Sequence, residues 1–171
     1  MTTHPPRRQG VEVATVRSSS QLAAALAIRR AVFIEEQGVP ESEELDEHDG
    51  DPATLTSALH VVGRVDGRVV GTGRLLLSYA VGTNAHIGRV AVLAEWRRGG
   101  IGTALMRALE GAARERGFAG ITLAAQLPAI PFYERLGYEV RGDVFLDAGI
   151  EHRWMDLAFE GTHRVEGDPR P

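Results

Sequence analysis

Apolar residues recur along the chain at two spacings, which predict an alternation of strands and helices. Short runs rich in valine, isoleucine and leucine are typical of strands, whereas apolar residues three and four positions apart are typical of amphipathic helices. The strands are predicted at residues 11–17, 58–65, 68–79, 86–92, 120–126, 138–145 and 152–159. The helices are predicted at residues 18–36, 100–117 and 130–137.

Local signals support the first helix and the central hairpin. Ser18 precedes an alanine- and leucine-rich stretch and is a good N-cap, and Leu22, Leu26 and Phe33 are spaced to face the interior of the protein. Two apolar runs are joined by Asp66-Gly67, the dipeptide typical of a two-residue hairpin turn. The pattern therefore predicts that a helix follows the first strand and that the next two strands form a tight hairpin.

The second helix carries the clearest apolar stripe. Ile101, Leu105, Leu109 and Ala112 lie on one face of it, and Gly117 is placed to end it. The resulting order β-α-β-β-β-α-β-α-β-β predicts a mixed sheet with helices on its faces, in the α/β or α+β class. We expect one domain over residues 11–159, with flexible tails at residues 1–10 and 160–171.

Composition narrows the function classes. The chain has 171 residues, a net charge of −4 and no cysteine. A dedicated nucleic-acid binder would normally be basic, and a chain without cysteine has no disulfide, no thiolate metal site and no cysteine nucleophile. No apolar run reaches membrane-spanning length, so we expect a cytoplasmic protein that binds neither nucleic acid nor membrane.

A glycine-rich turn follows the strand at 86–92 and is the first candidate for chemistry. Arg97 and Arg98 precede Gly99, Gly100 and Gly102 at the start of a predicted helix. Bare backbone N–H groups at a helix N-terminus bind phosphate, and arginines add countercharge. The alternative is a tight turn that needs glycine only for its dihedral angles.

The glycine spacing excludes two familiar phosphate-binding motifs. A P-loop requires lysine and serine or threonine after the glycines, and the dinucleotide motif requires G-x-G-x-x-G; neither is present. What remains is R-x-x-G-x-G, formed by Arg97, Gly100 and Gly102. The segment RVAVLAEWRRGGIGTALM resembles the acyl-CoA-binding core of the GNAT superfamily of N-acetyltransferases.

A second segment carries the same resemblance. QLPAIPFYERLGY resembles the later signature of that superfamily, which Ala129, Tyr133 and Gly137 match, whereas Gln126 replaces the usual asparagine and Tyr138 the usual phenylalanine. VFIEEQGVPESEELDEHD and DAGIEHRWM further resemble the ElaA-like branch. The resemblance implies a GNAT-like mixed, mostly antiparallel sheet of about seven strands flanked by helices.

The resemblance also implies acetyl-CoA as co-substrate, with its pyrophosphate on the glycine turn. Main-chain groups of the strand would run beside the pantetheine arm, in a slot left where the strand at 120–126 splays away, and one N–H there would polarise the thioester carbonyl. The implied cofactor-binding residues are Val90, Ala91, Val92, Arg97, Arg98, Gly99, Gly100, Ile101, Gly102, Thr103 and Gln126.

The implied reaction is direct acyl transfer to an amine, which needs an acid and a base. Tyr133 occupies the position of the superfamily's general acid, and the alternative is a buried aromatic with a satisfied hydroxyl. His60 and His152 are the first candidates for the base, ahead of His86, because the ElaA-like segments reach both. Glu35 and Glu36 are further candidates, and water could also serve.

The segment 41–51 is strongly acidic. We expect either a solvated, mobile loop or a wall of the acceptor mouth whose field attracts a cationic amine. The residues lack the order of a calcium-binding loop, and we expect no metal site. Its carboxylates are Glu41, Glu43, Glu44, Asp46, Glu47, Asp49 and Asp51.

The acceptor is expected to be a small-molecule or peptide amine. A homodimer is a further expectation, and the two C-terminal strands are candidate positions at which two subunits would pair. Two other functions stay open. One is a non-catalytic acyl-CoA-binding sensor or regulatory domain; the other is a nucleotide-binding α/β domain, against which the glycine spacing argues.

Overall fold

A computed structural model of the protein describes residues 10–161. The tails expected at 1–10 and 160–171 lie outside the described residues, apart from residues 10, 160 and 161. Among the described residues, no helix is both long and apolar enough to cross a membrane. The strands are β1 (Glu12–Thr15), β2 (Ala58–Val65), β3 (Arg68–Leu76), β4 (Asn84–Val92), β5 (Gly120–Gln126), β6 (Glu139–Asp147) and β7 (Ile150–Ala158). The α-helices are α1 (Ser19–Arg29), α2 (Glu41–Glu44), α3 (Ile101–Glu115) and α4 (Ile130–Arg135).

The strands form one mixed sheet, as the sequence predicts. Its order in the described residues is β1-β2-β3-β4-β5-β7-β6, and every neighbouring pair is antiparallel except β4 and β5. Asp66 and Gly67 both have positive φ, as a type I′ hairpin turn requires, which confirms the predicted turn between β2 and β3. The mixed, mostly antiparallel fold is therefore confirmed.

Helices cover both faces of the sheet. On one face α3 buries Ile101, Leu105 and Leu109 as predicted, but Ala113 takes the fully buried fourth position because the stripe advances four residues at a time; Ala112 is only partly buried. Helix α1 packs on β2, β3 and β4 from the other face. Strand β4 is thus buried from both sides.

The predicted helix over 18–36 is two elements. Ser18 caps α1 by accepting a hydrogen bond from the Gln21 N–H, as expected. At residue 30 the chain changes to a π-helical turn, Arg30–Glu36, in which the Gln37 N–H donates to the Val32 carbonyl five residues back. Such turns are frequent at functional sites, and this one ends beside the cleft described below.

Strand β4 contains a bulge. Thr72 of β3 pairs with Ala91 and Arg74 pairs with Gly88, so β4 has one residue more than β3 between these positions. Arg89 adopts φ +53°, an uncommon value for a residue other than glycine. The bulge bends β4 near the point at which it leaves β5, and it turns the Arg89 side chain toward the acidic segment.

Candidate active site

The sheet opens between β4 and β5. The two strands pair only at Asn84–Gly120, Ala85–Ile121 and His86–Thr122, and beyond these residues the β5-facing backbone of β4 has no strand partner. The opening forms a cleft of about 350 Å³. The predicted slot between these two strands is present.

Part of the predicted cofactor set lines this cleft, and the remainder lies on the turn beside it. The residues that line it are Val90, Ala91, Val92, Arg97 and Gln126. The residues on the turn and at the first positions of α3 are Arg98, Gly99, Gly100, Ile101, Gly102 and Thr103.

The turn presents a row of unpartnered backbone donors. The Arg97 N–H bonds the Ala94 carbonyl and the Ala104 N–H bonds the Gly100 carbonyl, but the N–H groups of residues 98–103 have no hydrogen-bond acceptor among the described residues. Helix α3 also has no side-chain N-cap. The six consecutive donors lie at the positive end of a 15-residue helix, which is an arrangement suited to binding an anion.

The side chain of Arg97 is occupied in this structure. Its Nη1 and Nη2 atoms donate to the two carboxylate oxygens of Glu36 at 2.7 Å each, and its Nε donates to the Val92 carbonyl at 2.9 Å. The hydrogen bond from Arg97 lowers the pKa of Glu36. This pair joins the end of the π-helical turn to the glycine turn across the mouth of the cleft.

A second contact reaches the same element from β5. Gln126 Nε2 donates to Gln37 Oε1 at 2.8 Å. Residues 36 and 37 are thus bonded to both sides of the opening between β4 and β5. We call residues 36–37 the strap.

Tyr133 lines the cleft from helix α4. Its ring meets Phe132 and Tyr138 edge-to-face at 5.0 and 5.9 Å, and its hydroxyl has no hydrogen-bond partner among the described residues. Burial raises the pKa of Tyr133 to about 12, so the phenol is protonated throughout the neutral range. The predicted alternative, a buried aromatic with a satisfied hydroxyl, does not match this hydroxyl.

His152 also lines the cleft, from β7. Its Nδ1 lies 2.7 Å from the carbonyl oxygen of Ile150, and a carbonyl can only accept, so Nδ1 carries the proton and Nε2 keeps the lone pair in the neutral ring. Phe145 stacks on the same ring at 5.8 Å. The geometry therefore holds one tautomer of His152 with a free basic nitrogen.

The structure does not bring the other predicted histidines into the cleft. His60 is 4% exposed and its Nε2 donates to the His48 carbonyl at 2.8 Å, while its Nδ1 is buried without a partner. Burial lowers the pKa of His60, which keeps the ring neutral. His86 stacks on Tyr79 instead. The ElaA-like resemblance favours His60 and His152 equally, and nothing in the sequence distinguishes a core histidine from one at a cleft.

The acidic segment 41–51 is divided between solvent and interior: Glu44 is buried and Asp46 and Asp49 are half-buried, whereas the other four carboxylates are exposed. Buried Arg29 donates from Nε to Glu44 Oε1 at 2.5 Å and from Nη1 to Asp49 Oδ1 at 2.6 Å. Arg74 forms a bidentate pair with Asp46 at 2.8 and 2.9 Å. The expectation of a solvated loop does not hold for Glu44, Asp46 and Asp49, because arginines distant in sequence neutralise these three carboxylates. Glu41, Glu43, Glu47 and Asp51 are exposed, as a solvated segment predicts.

Arg89 completes this buried charge cluster. Its guanidinium donates to the Glu44 carbonyl at 3.2 Å and lies 3.5 Å from carboxylate oxygens of Glu44 and Asp46. The cluster pairs three arginines with three carboxylates, and Glu41 pairs separately with Arg30. The charge of these three carboxylates is therefore largely cancelled, whereas exposed Glu43 lines the cleft with no ion-pair partner among the described residues. The cluster consists of Arg29, Arg74, Arg89, Glu44, Asp46 and Asp49.

Sequence reasoning missed several residues of the cleft. Arg89 and Asp147 line it, as do Phe33 and Glu43. Arg89 could have been noticed as a charged residue inside the apolar run HIGRVAV. Asp147 is the last residue of β6, before the turn to β7, and nothing in the local pattern indicates that this end of the hairpin lies at the opening.

A family model described as the acetyltransferase (GNAT) family matches residues 22–138, which contain the turn, the cleft strands and Tyr133. The chain belongs to this family. It is 38% identical over 140 residues to the N-acetyltransferase YjcF of Bacillus subtilis, covering 81% of this chain and 94% of that protein. The GNAT resemblance predicted from the sequence is confirmed.

Solved structures agree. ElaA of Escherichia coli superposes with a TM-score of 0.71 at 29% identity, covering 86% of this chain and 99% of ElaA. An aminoglycoside 6′-N-acetyltransferase complexed with coenzyme A shares the fold, with a TM-score of 0.68 at 20% identity over 94% of this chain and 99% of that one. The chain is thus an acyltransferase of the GNAT family by sequence and by fold.

Proposed function

We propose that the protein is an acetyl-CoA-dependent N-acetyltransferase that transfers the acetyl group directly to an amine. The observation that carries the proposal is the pairing of a cleft between β4 and β5 with a turn of six unpartnered N–H groups at its edge. When bound, acetyl-CoA supplies the acyl group as an activated thioester.

The residues present fit that co-substrate. The N–H groups of residues 98–103 provide donors for a pyrophosphate, and the exposed guanidinium of Arg98 lies beside them. The β5-facing side of the β4 backbone at residues 87–92 has no strand partner and provides hydrogen-bonding groups for an amide-bearing arm. A backbone N–H in Val90–Val92 would donate to the thioester carbonyl, as an oxyanion donor does.

Two side chains in the cleft account for the protons. In the reaction a nitrogen–carbon bond forms and a carbon–sulfur bond breaks, so one proton leaves the amine and one is gained at sulfur. His152 Nε2 accepts the proton from the amine, because the Ile150 carbonyl holds the proton of this ring on Nδ1. Tyr133 Oη donates to the leaving sulfur.

The raised pKa of Tyr133 refines its role. A phenol with a pKa of about 12 is a weaker acid than the thiol that it would produce, whose pKa is about 8.5 by analogy with cysteine. Tyr133 therefore stabilises the thiolate mainly as a hydrogen-bond donor, and complete proton transfer can follow from solvent. It remains protonated across any practical assay pH.

The first experiment is a thermal-shift titration with acetyl-CoA, ATP and NAD in parallel. A ligand at 100 times its dissociation constant stabilises the folded state by about 2.7 kcal/mol, which gives a readable shift. We expect a shift with acetyl-CoA alone. A shift only with ATP or NAD would overturn the cofactor assignment, and binding without transfer to any amine of a broad panel would favour the non-catalytic sensor.

The variant Tyr133→Phe tests the acid. We expect kcat to fall about a hundredfold, the lower end of the range for a positioned proton donor, while the dissociation constant of acetyl-CoA is unchanged. Fold loss is not expected, because the hydroxyl has no protein partner among the described residues. The control is Tyr138→Phe, whose hydroxyl donates to Glu110 in the core and which should lose stability and keep its kcat. Unchanged kcat in Tyr133→Phe would remove Tyr133 from the mechanism.

A further inference from the structure

The half of the sheet beyond β4 carries an aromatic row on the face opposite α3. Helix α1 packs on β2, β3 and β4 of this face, and the row begins where that cover ends. Tyr79 stacks on His86 of β4 at 4.1 Å with an interplanar angle of 9°, and His86 meets Trp154 of β7 edge-on at 6.2 Å. Trp154 stacks on Phe145 of β6 at 5.0 Å, and Phe145 stacks on His152 at 5.8 Å.

The row is continuous with the cleft. Its last ring, His152, lines the cleft and is the proposed base. Across the strand pair β5–β7, Gln126 is opposite His152 and Ala124 is opposite Trp154, and both β5 residues line the cleft. Phe145 and Trp154 do not line the cleft itself, but they continue from His152 along the sheet face as the next two rings of the row.

The charges beside Trp154 are paired, whereas Asp147 and Glu43 line the cleft at the His152 end of the row. Arg141 Nε donates to Asp156 Oδ2 at 2.5 Å, and Asp156 also accepts a hydrogen bond from the Thr122 hydroxyl at 2.7 Å. Burial lowers the pKa of His86, which keeps its ring neutral near pH 7. The rings of the row thus form a partly exposed aromatic surface, with Tyr79 39% accessible. Such a surface favours a planar aromatic group over a saturated or strongly hydrated one.

We propose that the aromatic row is the acceptor subsite, and that the acceptor is a primary amine carrying an uncharged aromatic ring. The inference rests on the proposed acetyl transfer and names its substrate class. The ring of the acceptor packs along Phe145 and Trp154 while its amine reaches His152 in the cleft. An aromatic pair adds to binding beyond the area that it buries, and a saturated ring of the same size lacks this addition.

The kinetic test compares benzylamine with cyclohexylmethylamine on the full chain. We expect kcat/KM to favour benzylamine by about tenfold after correction for the reactivity of each amine. Trp154→Leu keeps an apolar side chain on the strand and should reduce this preference to about one. Dividing the ratio of the variant by that of the wild type cancels the intrinsic difference between the two amines.

The matched control is Val140→Ala. Val140 lies on β6 opposite Met155, on the other face of the same strand pair, and is 39% exposed. This variant should keep the wild-type preference. If Trp154→Leu also keeps it, the aromatic row does not bind the acceptor.

A binding measurement tests the subsite without turnover. The chain has two tryptophans, so Trp96→Phe leaves Trp154 as the single indole fluorophore. The Trp96 Nε1 is buried without a partner, so the substitution removes no hydrogen bond within the described residues. We expect benzylamine to change the Trp154 emission in a saturable way and cyclohexylmethylamine to change it little.

The two readouts separate the two proposals. A saturable response of Trp154 without acetylation of any amine would refute the transferase and keep the subsite. Acetylation with equal preference and no response of Trp154 would refute the subsite and keep the transferase. Emission that depends on protein concentration, with a dimer in sedimentation and no response to benzylamine, would show that a second copy covers the row and would overturn the subsite.

Discussion

At the scale of single residues, the three glycines of the turn differ in what a side chain would meet at each position. Gly100 has φ +82°, so a side chain there is strained although its Cβ would meet open space. Gly102 has ordinary dihedrals, but a Cβ would lie 3.1 Å from the Phe132 ring. Gly99 has neither constraint, since a Cβ there meets only the Trp96 carbonyl at 3.4 Å. The dihedral need that the sequence offers as one explanation of this turn thus applies to Gly100, and the phosphate-binding explanation stays a prediction for which Gly99 is the informative position.

This difference changes how the turn is tested. A β-branched residue at Gly100 loses folding energy as well as any ligand contact, because positive φ disfavours it. Loss of both stability and cofactor binding at Gly100 is thus expected from the backbone alone. Gly99 is the position at which a small side chain tests close approach of a ligand without that strain.

The histidines give a prediction at the same scale. We expect His152→Gln to lower kcat/KM about a hundredfold with little change in Tm, because the side chain lies at the cleft and its basic nitrogen has no protein partner among the described residues. His60→Ala should instead lower stability by about 2 kcal/mol, or several degrees in Tm, and keep kcat. The reverse pattern would make His60 the base, and no effect of His152→Gln on kcat would assign the proton to water.

At the scale of elements, the strap is the main addition of the structure. The sequence predicted one helix to residue 36, whereas a π-helical turn ends there and bonds both sides of the cleft opening. Propensity could not reveal this, since alanine, valine and phenylalanine fit either helix type. The strands and α3 were predictable because their apolar periodicity is strong, and the opening between β4 and β5 because the family motif implied it.

The Glu36–Arg97 pair gives a prediction for this element. A pyrophosphate on the turn competes with Glu36 for Arg97, so Glu36→Gln should tighten coenzyme A binding about two- to fivefold, the size expected for a half-exposed ion pair. The measurement is the dissociation constant by calorimetry at low and high salt.

Glu35→Gln is the matched control for the strap. It removes the same charge from the neighbouring exposed residue and should leave the dissociation constant unchanged. Weaker binding in Glu36→Gln would mean instead that the ion pair holds the turn in its binding conformation.

At the scale of the whole molecule, the buried charge cluster connects elements that are far apart in sequence. Arg29 lies on α1, Arg74 on β3 and Arg89 on β4, and all three bind the acidic segment. The sequence shows seven carboxylates in eleven residues but not their partners, which the fold supplies from 15 to 45 positions away. A charge run alone therefore could not predict that this segment is a structural centre.

The cluster predicts loss of stability in acid. Burial opposes ionisation of Asp49, but hydrogen bonds from Arg29 and from the Asp46 backbone prevail and lower its pKa from 3.8 to about 2. A lowered pKa contributes stability above the unfolded value, so about 2 kcal/mol should be present above pH 4 and lost as the pH falls toward 2. Denaturant titrations between pH 6 and pH 2 measure this change.

Asp49→Asn is the variant for this prediction. At neutral pH it leaves Arg29 and Arg74 with an uncompensated charge and should cost about 3–5 kcal/mol. Between pH 4 and pH 2 it should lose stability less steeply than the wild type. An equal acid slope in the two proteins would place the acid sensitivity in other carboxylates.

The bulge in β4 has a consequence for how this strand must be read. Before the bulge, Ala85 and Ile87 point to the α3 layer, and after it Val90 and Val92 do so. Ala91 points to the other face, where it packs with Ile28 of α1 and Val32 of the π-helical turn. The extra residue shifts the alternation of side chains between the two faces by one position. The residues before the bulge and those after it therefore alternate out of phase with each other. Odd-numbered residues therefore face the α3 layer before the bulge, and even-numbered residues face it after the bulge. Deleting one residue at the bulge would turn the valines that follow it to the opposite face of the sheet.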